Sequence, residues 1–274
     1  MLPTVHALNW ILPVLYLITF TVYTLDFARE RKVFHNSKRI FLFVTLLLHT
    51  FYLLSRTIEF NHPPITTKFE IFTILAFSIA FSYFLLELLT DIRGTGSFII
   101  FFSLVFQLIS SIFIKDLLEV QEVLRNRLLG LHVISALLGY SGITISAVYG
   151  ILFFMLYKNL KHNKFGLIFN RLPSLETLEK LSFFSAMIGF SLLTIAIIIG
   201  SIWLPLAFPE FSYFDPKLIS TGIIWIVYGA GLLTKLLGKW YGKKVIIFSL
   251  VGFALMLLSL LLSNLLSNSF HSFS

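Results

Sequence analysis

The 274-residue chain is 57% apolar, 16% aromatic and only 12% charged, with a net charge of +8 and no cysteine. A water-soluble domain draws about a quarter of its residues from Asp, Glu, Lys and Arg, so half that share cannot coat a globule and the composition is that of a membrane protein. The lack of cysteine excludes a disulfide framework, a thiolate metal site and a cysteine nucleophile, leaving His, carboxylates, hydroxyls or a bound cofactor for any chemistry.

A helix needs about 20 apolar residues to cross a bilayer. In chain order the candidate stretches are 7–27, 40–54, 69–90, 97–114, 129–157, 181–206, 218–234 and 245–262, the second and seventh being the shortest. The first has no basic leader or small-residue cleavage site, and Arg29, Arg31 and Lys32 follow it, so it reads as a retained span. With no internal repeat, linker or soluble domain, the expected fold is all-α: a polytopic membrane protein, a bundle of eight transmembrane helices in a single integral membrane domain, residues 1–274.

The basic residues orient that bundle. The segments 29–39, 93, 158–180 and 235–244 hold fifteen Lys and Arg, whereas 56–68, 115–127 and Lys217 hold six. The positive-inside rule then puts both termini outside, in the cell (cytoplasmic) membrane. The basic excess becomes a topology signal, and nucleic acid drops out as a partner.

Between spans, Ser174 stands as an N-cap before Glu176 and Glu179, so the sixth helix is expected to start in the aqueous phase. The segment 115–127 mixes Asp116, Glu119, Glu122, Arg125 and Arg127 with leucine and valine and reads as a short amphipathic helix on the membrane. No nucleotide loop, zinc-protease motif or nucleophile elbow is present, and the expectation is a protein that is not an enzyme.

Topology sorts the seven histidines. His35 and His162 fall in inner loops, His49 lies mid-span, and His6, His62, His132 and His271 fall at the outer face. Neutral imidazole is the common axial ligand of haem iron. His132 opens the fifth span and is followed by small residues; it reads either as a ligand or as a boundary histidine bonded to a carbonyl or headgroup. His271 lies beyond the last span, where a frayed chain end is the alternative. His49, Glu70 and Glu87 are intramembrane ionisable groups, functional or paired between helices.

The segment 203–217 holds Trp203, Phe208, Phe211, Tyr213 and Phe214 with Pro205, Pro209 and Pro216, and cannot be one continuous helix. It reads as an interfacial aromatic belt, or as a shelf for a flat apolar ring system whose carboxylates Lys217 could pair.

The sequence Tyr213-Phe214-Asp215-Pro216-Lys217-Leu218 resembles the end of the tryptophan-rich outer loop, Trp-Asp-Pro-Lys-Glu, of the cytochrome c assembly family, the haem-handling membrane proteins of the CcsA and HemX type. Pro64 through Phe69-Glu70, Leu131-His132-Val133 with Gly139-Tyr140, and the tail Phe270-His271-Ser272-Phe273 resemble further family patterns. The resemblance implies that His132 and His271 are the metal ligands of a transiently bound haem b, and that Trp203, Phe208, Phe211, Tyr213, Phe214, Asp215, Pro216 and Lys217 make up the rest of the site. It implies haem presentation at the outer face for c-type cytochrome biogenesis, with a second membrane assembly component as partner. It also implies an alternative, a HemX-like regulator acting on glutamyl-tRNA reductase abundance through the inner loops. A small-molecule transporter is a third reading, without the paired interrupted helices typical of midplane sites.

The sequence departs from the family at several points. Phe208, Ser212 and Phe214 replace tryptophans, Leu218 stands for the closing glutamate, and Leu233 stands where assembly proteins carry the histidine of a second, intramembrane haem site. Weaker haem retention is the expected consequence, and His6 or His62 remains as a substitute ligand.

Overall fold

The computed structural model describes residues 2–29, 32–92, 94–118, 120, 126–207 and 216–265. Among these the chain is helical and contains no strand. Its helices are α1 (Leu2–Arg29), α2 (Lys32–Phe60), α3 (Lys68–Thr90), α4 (Gly96–Phe113), α5 (Arg127–Lys161), α6 (Leu167–Arg171), α7 (Leu175–Ala207), α8 (Pro216–Leu236) and α9 (Lys243–Leu265). Each apolar stretch expected to span lies within one of them, except that the fourth runs one residue past α4, to its C-cap Ile114. Seven of the helices, α1 to α5, α7 and α8, are long and apolar enough to cross a membrane.

The differences lie at the ends. α2 begins well before residue 40, and its early turns carry Lys38 and Arg39, whose carboxylate partners Asp26 and Asp91 lie on α1 and at the end of α3. α7 begins at Leu175, capped as expected: the Ser174 hydroxyl accepts from the Thr177 amide at 3.2 Å. The five-residue α6 has no forerunner in the apolar pattern. Lys115–Leu118 is not the start of an amphipathic helix; its carbonyls turn instead to side chains, Lys115 O to Arg56 and Leu117 O to His62. Residues 119 and 121–125 lie outside the described residues.

The helices gather into two compact units: residues 1–126 with 166–173, and 127–165 with 174–274. In the first unit, α1 packs on α2 and α4, and α3 packs on α4 and α2. Its polarity is inverted relative to a water-soluble bundle. Asn9, Tyr16, Thr19, Tyr23 and Asp26 face inward from α1 at helical spacing, while Trp10, Ile11, Val14, Leu17 and Ile18 are exposed. Apolar side chains outside and hydrogen-bonded polar ones inside suit a solvent of lipid tails. α3 starts with a capping box in which the Thr67 hydroxyl accepts from the Glu70 amide at 3.1 Å and a Glu70 carboxylate oxygen accepts from the Thr67 amide at 3.2 Å.

In the second unit α5 runs antiparallel to α7 and forms its most extensive pairing, with α8 and α9 completing the unit. The contact is glycine-based: a Cβ on Gly142 would lie 2.8 Å from the Gly189 Cα, so any side chain there would force the helices apart. Further along, the Ser146 and Ser182 hydroxyls each donate to the other's carbonyl, at 2.8 and 2.9 Å, and Ser146 meets Ser249 of α9. Close backbones and small hydroxyls supply the cohesion that the hydrophobic effect cannot supply between helices in lipid.

Candidate functional site

The close α5–α7 crossing decides where His132 goes. Two turns beyond the glycine contact its ring lies across α7, with Nδ1 2.8 Å from the Ala196 carbonyl oxygen. A carbonyl only accepts, so Nδ1 carries the proton, and in the neutral ring Nε2 is the basic nitrogen. The ring rests over Gly200, where a Cβ would lie 2.9 Å from both Nδ1 and Cε1. His132 is half-buried. Trp203 follows on the same stripe of α7, since 196, 200 and 203 are spaced by four and three residues. It is buried, and both it and Pro205 lie within α7, so the helix takes in the first part of the aromatic segment.

The carbonyl bond expected of a boundary histidine is therefore present, and it sets which ring nitrogen carries the proton. An imidazole whose Nδ1–H is anchored on a backbone carbonyl has its tautomer and ring plane set, which is the usual arrangement of a metal-ligating histidine. Where two imidazoles ligate haem iron, each gives one such nitrogen. His271, Phe208, Phe211, Tyr213, Phe214 and Asp215 lie outside the described residues, and of Pro216 and Lys217 only the helical backbone is described. Among the described residues no group of three or more His, Asp or Glu is arranged to hold a bare metal ion. Leu233 is 55% exposed on α8.

His49, His62 and His6 are engaged elsewhere. His49 is fully buried in the first unit: Tyr16 O–H lies 3.0 Å from Nδ1, and Nε2 lies 3.0 Å from the Thr73 hydroxyl. Thr73 donates onward to Gln107 Oε1 at 2.8 Å, and Gln107 to the Ser111 hydroxyl at 3.0 Å. Thr73 has thus spent its proton, so it accepts from Nε2–H, and Tyr16 donates to Nδ1. With both nitrogens taken, His49 joins α1, α2, α3 and α4 and has no nitrogen left for iron. His62 is buried, with Nδ1 and Nε2 at 3.0 and 3.1 Å from the carbonyls of Pro63 and Leu117. His6 meets Asp116 through Nε2 at 2.7 Å.

Glu70 and Glu87 anchor ionic clusters at opposite ends of the first unit. Glu70 accepts from Arg56 Nε at 2.9 Å, while Arg56 also donates to Asp116 and to the Lys115 carbonyl, both at 2.9 Å. Burial raises the Asp116 pKa, but hydrogen bonds from His6 and Arg56 outweigh it and hold this carboxyl below the ordinary aspartate range. At the other end Glu87 accepts from Tyr23 O–H at 2.6 Å and faces Lys38, which binds Asp26 at 2.6 Å; Arg39 pairs with Asp91. The Arg56–Glu70 and Glu87 pairings are interhelical bonds that adjacent-residue patterns cannot reveal, although Arg56, Glu70 and Glu87 were each visible as ionisable groups in or beside apolar stretches.

Residues 45–271 match the family model for cytochrome C assembly protein. The chain is 28% identical to a cytochrome c biogenesis protein CcsA of Guillardia theta over 84% of this chain and 81% of that one. It is 25% identical to a CcsA of Mesostigma viride, covering 94% and 93%, and 24% identical to a protein HemX of Brevibacillus brevis, covering 80% of each. A multi-pass helical architecture, an imidazole anchored across a glycine-lined helix crossing, and a match over most of the sequence agree, and the chain belongs to the cytochrome c assembly protein family.

Proposed function

We propose that the protein is a non-enzymatic haem carrier that holds haem b transiently at the outer face of the cell membrane and presents it for c-type cytochrome biogenesis. In this reading eight helices span the bilayer, both termini lie outside, and His132 and His271 are the axial ligands. The observation that carries it is the His132 Nδ1–Ala196 carbonyl bond, which sets the tautomer and plane of a half-buried ring as such bonds do for metal-ligating histidines. The bias of fifteen Lys and Arg to one face supports the orientation. Haem supplies an iron with two axial positions; two imidazoles filling both favour carriage over oxygen chemistry. The segment 208–215, which follows α7 directly, would form the stacking shelf, with Lys217 near the propionates.

The visible spectrum of the detergent-purified protein, offered haem, tests this against His132→Ala and His271→Ala. A Soret band that shifts or fades in both variants supports the assignment. No band in the wild type, or an unchanged band in both variants, overturns it.

A second reading, a HemX-like regulator of tetrapyrrole synthesis, is favoured by Leu233 in place of a second-site histidine and by the loss of tryptophans from the loop. Co-purification separates the two: a membrane partner with a large external domain supports assembly, and glutamyl-tRNA reductase supports regulation.

A further inference from the structure

At one end of the second unit, the ends of α5, α7, α8 and α9 converge. Glu179 of α7 accepts from Lys235 Nζ at 2.7 Å and from the Gly242 amide at 2.8 Å, which ties the α8–α9 turn to α7. Lys243 Nζ lies 3.6 Å from the centre of the Tyr157 ring, joining the start of α9 to the end of α5, and Lys244 Nζ lies 5.3 Å from the centre of the Trp240 ring. Lys158, Lys161 and Lys239 are exposed beside them. Segments 157–166 and 236–250 contain no Asp or Glu, and the acidic neighbours are occupied: Glu179 as above, and Glu176 by Lys180 at 2.8 Å. The surface is strongly positive and its aromatic rings hold the ammonium groups in place.

Beside these lysines the surface is apolar: Leu236, Leu237 and Tyr241 are exposed at 62, 78 and 65%, and Trp240 at 38%. Ammonium groups next to exposed leucine, where α5 and α8, both long and apolar enough to span, come to their ends beside the start of α9, match one ligand chemistry, a phosphate joined to acyl chains. We propose that this end of the second unit is a binding site for an anionic phospholipid, its phosphate on Lys158, Lys161, Lys243 and Lys244 and its chains against Leu236, Leu237 and Trp240. An acidic protein segment or free phosphate would use the charges and leave the adjoining apolar surface uncovered. The inference is independent of haem binding.

The test uses the full chain, delipidated in detergent and titrated with dioctanoyl phosphatidylglycerol or dioctanoyl phosphatidylcholine, read by native mass spectrometry and thermal melting. Phosphatidylglycerol is expected to add to the wild type and raise its melting temperature, with phosphatidylcholine weaker by about tenfold or more. The variant with Lys158, Lys161, Lys243 and Lys244 all changed to Gln should lose that preference while melting like the wild type without lipid, and the corresponding Lys→Arg variant should keep it. Inorganic phosphate at equal concentration should not displace the lipid. Equal binding of both lipids, an unchanged preference in the Gln variant, or full displacement by phosphate overturns the proposal.

Discussion

His132 of α5 donates from Nδ1 to the Ala196 carbonyl of α7 across 2.8 Å, and that same carbonyl is the one toward which helix geometry directs the Gly200 amide. The ring lies over the glycine because nothing projects from Cα there. Orientation of the imidazole is therefore a property of two α7 positions, Ala196 and Gly200.

Gly200→Ala is expected to weaken haem retention by about 10- to 100-fold, the usual effect of disturbing a group that orients a metal ligand. The added methyl would lie 2.9 Å from two ring atoms and must push the imidazole aside. Alanine also favours helix over glycine by about 1 kcal/mol, so the fold should not suffer in step with the site. Soret titration beside thermal melting checks both, and an unaltered titration would sink the idea.

Arg56→Ala should destabilise the first unit by about 3–5 kcal/mol, because Glu70 would be left fully buried without its cation. Denaturation in detergent measures the loss. The double variant Arg56→Ala, Glu70→Gln should be less damaged than the sum of the single changes, since removing both charges leaves no orphan.

His49→Leu is expected to cost about 1–3 kcal/mol through the unsatisfied Tyr16 and Thr73 hydroxyls, and to leave the visible spectrum with bound haem unchanged. A lost or shifted Soret band in this variant would instead make His49 part of the haem site.

Asp116 gives a pH dependence with a definite sign. Its carboxyl is held below the ordinary aspartate range by His6 and Arg56, so the folded state binds its proton less readily than the unfolded chain does. The stabilisation is therefore complete above the ordinary aspartate pKa of about 3.9 and is lost as the pH falls through the lower, folded value. Thermal melts across the acid range should fall more steeply for the wild type than for Asp116→Asn, and parallel curves would contradict the assignment.

The helices were legible because lipid imposes one demand on every span, a long apolar run, and each of the runs became helix. The helix starts were less legible: Lys38 and Arg39 look like the end of an aqueous loop until Asp26, Glu87 and Asp91 are brought to them from α1, α3 and the turn after it. The same applies to Lys115–Leu118, whose composition reads as amphipathic helix but whose carbonyls are committed to Arg56 and His62. At the site, His132 stood out by its position at the head of a small-residue helix. Gly200 did not, because a glycine inside an apolar run carries no mark of what rests against it.

The Glu70 carboxylate has two duties at once. One oxygen closes the first turn of α3 on Thr66 and Thr67, and the other receives Arg56 from α2. The bond that starts α3 and the bond that docks it on α2 thus share one carboxylate, so a change at Glu70 would loosen a helix end and an interhelical contact together.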